Sequence, residues 1–207
     1  QFYYFYAIKQ WPLKQPPVIS VPSGNFGNIC AGMMAYKTGL QVNSFIAACN
    51  ENDVFTRFLR NGTYEQRKAI PTISNAMDVG SPSNFGRVME VFGNKLSDLK
   101  EMVSSYSFSS AQTKEAIKTV FESTGYIMDP HGAVGYLALK NYLSAHPGKG
   151  GLFLETAHPA KFSNVVEEVI GEKMEFPAGT EQLFSKEQHR TMMPSDYAVL
   201  KDWLLSI

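Results

Sequence analysis

At 207 residues, with 44% hydrophobic and 18% charged side chains, the chain is long enough to bury one sizeable core, and we read it as a single α/β domain spanning residues 1–207. Nineteen basic residues balance nineteen acidic ones, so the overall electrostatics offer no footing for a nucleic-acid backbone or an anionic membrane. The two cysteines, Cys30 and Cys49, both lie in apolar settings and fit reduced core thiols of a cytoplasmic protein better than a disulfide framework.

The chain opens on Gln1 and a dense aromatic cluster, Phe2-Tyr3-Tyr4-Phe5-Tyr6, which reads as the tail of a buried helix and as a beginning in mid-domain. The cluster lacks a basic flank and a small-residue cleavage site, and no apolar run reaches the roughly 18 residues of a membrane span, so the chain is expected to be soluble. Val18 to Val21 reads as a short buried strand, followed by a helical pattern from Ile29 to Thr38 that Gly39 ends. A second apolar run, Ser44 to Cys49, completes a βαβ unit.

Residues 50–80 read as mixed loop and helix, with Asn61-Gly62 as a turn and Ser74-Asn75-Ala76-Met77-Asp78 as a polar run that periodicity does not explain. Helices are predicted at 84–92, 95–103, 111–123 and 132–145. A glycine-rich loop then leads to a third strand, Leu152 to Glu155, and a helix over 160–170. Strands alternating with helices predict a parallel sheet with helices on both faces.

The junction Pro22-Ser23-Gly24-Asn25-Phe26-Gly27-Asn28 lies between the first strand and the first long helix. A glycine-containing turn there leaves backbone N–H groups converging on one space, and the helix dipole adds about half a positive charge. Such a loop is an anion cradle, in which the glycines allow close approach and Ser23, Asn25 and Asn28 can add side-chain donors. A plain strand-to-helix turn uses the same residues. The spacing matches neither the dinucleotide fingerprint nor the Walker pattern.

Further along, Thr156 is either the N-cap of the following helix or a hydroxyl presented at the strand end, where open α/β sheets place ligands. Ser74, Asn75 and Asp78 either shape a pocket or form a capped loop for local reasons. His131 and His158 each stand next to a proline at a helix start, a setting that favours a structural hydrogen bond over acid–base work. Four histidines and two cysteines in no ligand-like spacing give no support for a metal site.

Taken together, PSGNFGN, SNAMDVGSPSNF, DPHGAVGYLAL and GLFLETAHPAKF resemble the threonine synthase family, pyridoxal-phosphate enzymes of the fold-type II group that includes the tryptophan synthase β subunit. The resemblance covers essentially the whole chain and is weakest over 94–114 and after Gly171. It implies a large-domain portion of a fold-type II enzyme with pyridoxal 5'-phosphate as cofactor. Its phosphate would be wrapped by Ser23, Gly24, Asn25, Phe26, Gly27 and Asn28, and Thr156 would face its pyridine nitrogen. Ser74, Asn75 and Asp78 would lie near the substrate pocket.

The implied reaction converts O-phospho-L-homoserine and water to L-threonine and phosphate. The family's Schiff-base lysine lies in a Phe-Lys-Asp context that this sequence lacks; Lys37, Lys100 and Lys161 stand in other settings. The chain is therefore expected to be the C-terminal part of a longer two-domain enzyme, inactive alone and partnered by the missing N-terminal part. The alternatives are a related phospholyase or amino-acid dehydratase, and a non-catalytic phosphate-binding module.

Overall fold

The computed structural model describes residues 1–180, 186–187 and 189–207. It divides into two compact units, Gln1–Met174 and Glu175–Ile207. The first unit is built on a four-stranded parallel sheet, with β1 (Val18–Pro22), β2 (Ser44–Cys49), β3 (Val103–Ser107) and β4 (Gly151–Phe153) in the spatial order β3-β2-β1-β4.

Side-chain alternation along the central strands feeds two cores. Ile19, Val21, Phe45, Ala47 and Cys49 point into a cluster with α1 (Phe2–Lys9), α2 (Gly27–Lys37), α3 (Val54–Asn61), α4 (Phe85–Val91) and α5 (Leu96–Met102). Val18, Ile46 and Ala48 point the other way, onto Val134, Ala138, Leu139 and Tyr142 of α7 (Pro130–Ala145). Behind α7, Ala133 and Met128 pack with Ala116 and Ile117 of α6 (Ser110–Thr124), and Val169 and Ile170 of α8 (Ser163–Ile170) close this third cluster. Strands apolar on both faces are what a covered parallel sheet demands. Two buried polar residues face α7: the Ser20 hydroxyl donates to the Gly135 carbonyl at 2.7 Å and the Ser44 hydroxyl donates to the Tyr142 hydroxyl at 3.3 Å.

Several elements depart from the sequence reading. Val103 does not end a helix but begins β3, and only Val103 of that strand is buried, because β3 is the sheet edge. A sequence such as VSSYS carries no continuous apolar run, so its pairing with β2 is invisible until the partner is in place. The strand read over 152–155 is the fourth in the chain and spans Gly151–Phe153, with one further bond from Leu154 N–H to the Ser20 carbonyl at 3.0 Å. The aromatic start is a helix, yet among its residues only Tyr4 is buried, and Phe2 is 91% exposed. The helix read over 160–170 is split into a 3-10 turn, Pro159–Phe162, and α8.

The second unit contains α9 (Tyr197–Ser206), whose N-cap Asp196 accepts from the N–H groups of Ala198 and Val199. Among the described residues no helix is long and apolar enough to cross a membrane.

Candidate active site

The strand order places a topological switch at the middle of the sheet. From β1 the chain runs outward through β2 to β3, then returns by way of α6 and α7 to pair β4 on the opposite side of β1. Loops leaving β1 and β4 therefore diverge to opposite faces and open a crevice beyond their carboxyl ends, where doubly wound sheets bind ligands. The β1 loop carries residues 23–28 and the β4 loop carries Thr156. The register pairs Ser20 with Phe153, so both segments leave the same edge of the sheet.

Residues 23–26 turn from β1 into α2. Ser23 is buried, its N–H donates to the Ala48 carbonyl at 2.8 Å, and its hydroxyl donates to the Val21 carbonyl at 2.8 Å. It anchors the loop and offers no free donor. Phe26 takes the left-handed conformation at φ 63°, which a bulky residue adopts only under compensation. Its ring supplies that compensation by packing on Phe55 with centroids 4.5 Å apart.

The first α-helical bond of α2 runs from Cys30 N–H to the Phe26 carbonyl at 3.0 Å. Ahead of it, the N–H groups from Gly24 to Ile29 have no acceptor among the described residues. A loop of uncommitted N–H donors merging into a helix N-terminus is an anion-binding arrangement.

Neighbours from three other segments hold that loop. The Asn25 side-chain oxygen accepts from Ser83 N–H at 2.6 Å and from the Ser83 hydroxyl at 3.0 Å, while Asn84 Nδ2 donates to the Asn25 carbonyl at 2.9 Å. The Asn28 carboxamide oxygen accepts from the hydroxyls of Tyr3 and Tyr4, so the aromatic start of the chain braces the first turn of α2. That bracing was not legible in the sequence, because nothing local links residues 3 and 28. Beneath the loop, a Cβ on Gly24 would lie 2.6 Å from the Met77 Cα, so only glycine fits there. At Gly27 a Cβ would meet nothing nearer than Asn84 Nδ2 at 3.5 Å, so packing within the chain does not demand that glycine.

Met77 is set in place by a polar network. Asn50 Nδ2 donates to Thr72 Oγ1, Ser74 Oγ and Asp78 Oδ1 at 2.8, 3.0 and 2.9 Å. Asn52 Nδ2 and the Thr72 hydroxyl also donate to Asp78 Oδ1, and Thr72 N–H donates to Asp78 Oδ2. Ser74 and Asp78 are thus engaged inside the network at the carboxyl end of β2, whereas Asn75 is exposed and opens a 3-10 turn, Asn75–Met77, whose last residue is buried. The polar run that periodicity left unexplained answers to Asn50 and Asn52, more than twenty residues upstream.

At the β4 end, Thr156 is exposed, with no hydrogen bond among the described residues. It is not the N-cap. His158 fills that place, its Nδ1 accepting from Ala160 N–H at 3.1 Å, and α8 itself follows Phe162. His131 is buried at the start of α7, with Nδ1 2.7 Å from Asp129 Oδ1. Both cysteines are buried, and burial pushes the Cys49 thiol up to about 11, so neither the exposure nor the acidity of a reactive thiol is present there. Among the described residues no cluster could hold a metal ion.

Residues 3–154 match the family of pyridoxal-phosphate dependent enzymes. The chain belongs to that family. Residues 132–204 also match the family described as threonine synthase, C-terminal. Threonine synthase of Escherichia coli strain K12 is 40% identical over 206 residues, which is 99% of this chain and 47% of that protein. Its crystal structure superposes with a TM-score of 0.91 over 99% of this chain and 47% of its own.

The pyridoxal-phosphate-bound threonine synthase of Brucella melitensis gives a TM-score of 0.86 at 29% identity, covering 98% of this chain and 48% of its own. Tomato threonine deaminase isoform 2, at 16% identity and a TM-score of 0.56 over 81% of this chain and 45% of its own, shares the fold alone. The parallel sheet with helices on both faces is thus the fold-type II architecture. The chain spans about half the length of the curated relatives it matches, 47% of the Escherichia coli protein.

Proposed function

We propose that this chain is the cofactor-anchoring portion of a threonine synthase, which converts O-phospho-L-homoserine and water to L-threonine and phosphate. The observation that carries this reading is the run of uncommitted N–H groups from Gly24 to Ile29 at the switch point of a fold-type II sheet. Donors of this kind fit a phosphate monoester without a charged side chain, because backbone dipoles and the α2 dipole supply the positive field.

In this reading the N–H groups of Gly24, Asn25, Phe26, Gly27 and Asn28 hold the phosphate of pyridoxal 5'-phosphate. Ser23 secures the loop to β1 and β2. The Thr156 hydroxyl would face the pyridine nitrogen, to which it could donate or from which it could accept without imposing a charge. When bound, the cofactor supplies an electron-withdrawing ring for elimination and replacement beyond the substrate's α-carbon. Ser74 and Asp78 position the Met77 segment under Gly24, and Asn75, exposed beside them, is the member of that run free to meet substrate. The lysine that bonds the cofactor and moves protons in this family is expected outside this chain, in the N-terminal part of a longer two-domain enzyme.

Calorimetric titration of this chain with pyridoxal phosphate, against inorganic phosphate and unphosphorylated pyridoxal, tests the reading. Binding of the phosphorylated compound and of phosphate, but not of pyridoxal, is the expected result. Equal affinity for pyridoxal, or no phosphate binding, would sink it. The full-length enzyme given O-phospho-L-homoserine should yield threonine; 2-oxobutyrate as sole product would indicate a lyase that stops after elimination.

A further inference from the structure

Glu155 and Asp129 meet where the end of β4 passes the first turn of α7. Asp129 is fully buried and accepts from the N–H groups of His131 and Gly132 and from the His131 ring. The Glu155 carboxyl lies directly over Gly132: a Cβ built on that glycine would fall 2.1 Å from Glu155 Oε2. The Gly132 N–H donates to Asp129 Oδ2 at 3.3 Å, so the two carboxyl groups meet at the same glycine. Two carboxyl groups this close hold one proton between them. With Asp129 already accepting from His131, the proton belongs on Glu155, which donates. The other group acting on the Glu155 carboxyl is the Tyr126 hydroxyl, from the segment after α6, and His131 bonds Asp129 Oδ1.

We propose that Glu155 is a positioning residue, whose carboxyl donates to Asp129 across Gly132 and so clasps the end of β4, with Thr156 next in the chain, to the start of α7. The proposal deepens the functional reading, since it rests on Thr156 as the partner of the cofactor ring. Gly132 is the condition for the clasp. Helical backbone at 132 tolerates alanine, and the atoms a methyl group would strike are the far end of a flexible side chain. Gly132→Ala should therefore fold and simply evict the Glu155 carboxyl. Glu155→Gln is the complementary variant, because its amide donates to Asp129 at every pH.

This geometry gives the clasp an expected pH dependence. Glu155 is exposed as a residue, but desolvation of its carboxyl over the start of α7, together with the Asp129 carboxyl beside it, pushes it from 4.5 up to about 8. Above that value both groups are charged and repel.

Hydrogen exchange at the amides of Leu154 and Gly132, expressed as protection relative to the unstructured rate, reads the clasp with no ligand present. Between about pH 7 and about pH 9.5 protection in the wild-type chain should fall at least about fivefold, stay level in Glu155→Gln and be low throughout in Gly132→Ala. Level protection in the wild type, a fall in Glu155→Gln equal to that of wild type, or full protection in Gly132→Ala would each overturn the proposal.

Pyridoxal phosphate affinity, measured by calorimetry, should follow the same order, while inorganic phosphate binds all three chains alike. Gly132→Ala binding pyridoxal phosphate as tightly as wild type would refute the positioning role even if the exchange result held. A wild-type chain that binds no pyridoxal phosphate counts against the functional reading, and the exchange measurement still decides the clasp.

Discussion

Gly24 and Phe26 show how much of the cradle is decided by single residues. Gly24 has backbone beneath it, the Met77 Cα, so Gly24→Ala cannot be absorbed by a side-chain rotation. We expect it to lift the loop, weaken pyridoxal phosphate binding at least about tenfold and lower stability by about 1–3 kcal/mol, as measured by calorimetry and urea denaturation. Glu155 is legible at the same scale through its titration. Its folded value lies above its unfolded value, so between about pH 4.5 and about pH 8 the native state holds a proton that the unfolded chain has released. Stability from this group is full below that window and is lost as pH rises through it.

Asp129 has the opposite sign. Burial raises it, but the bonds from His131 and Glu155 outweigh burial and hold it below 3.8, so its contribution is lost as pH falls toward and below that value. Denaturation midpoints of wild type and Glu155→Gln across pH 4.5–8 check the Glu155 contribution: the wild type should lose stability with pH relative to the variant.

At the level of elements, helices were readable with or without a side-chain cap: α4 and α5, which have none, were read to within one residue at each end. α6 begins with a capping box in which Ser109 accepts from Gln112 N–H and the Gln112 side chain accepts from Ser109 N–H. Ser109→Ala should cost about 1 kcal/mol, read from the urea midpoint. α7 starts with Asp129 and Pro130 and was read to within two residues. By contrast β3, an edge strand whose exposed face is polar, carries no period of its own, and the 74–78 run is held by Asn50 and Asn52. Truncating Asp78 to alanine would leave donors from Asn50, Asn52 and Thr72 without their acceptor. We expect a loss of about 2–3 kcal/mol together with weaker phosphate binding, since Met77 then no longer supports Gly24.

For the whole molecule, the order β3-β2-β1-β4 is what turns two separate loops into one crevice. A ligand that spans it stabilises the folded chain by mass action, about 2.7 kcal/mol at a hundred times its Kd. Thermal unfolding should therefore shift upward with pyridoxal phosphate in the wild-type chain, and Gly24→Ala should show a much smaller shift at the same concentration.

Features that a short window of residues encodes could be read without the fold. The apolar runs of β1 and β2, the glycine-rich turn into α2, the capped starts of α6 and α7 and the family resemblance of four motifs were all legible, because periodicity, capping and turn chemistry act over a few residues. Folding alone shows which N–H groups of residues 23–29 remain uncommitted, that Ser23 is an anchor, that Tyr3 and Tyr4 brace Asn28, and that Glu155 lies over Gly132. Each of these joins residues distant in the chain, and a hydrogen bond or a steric limit between them exists only once the sheet order has brought its strand ends together.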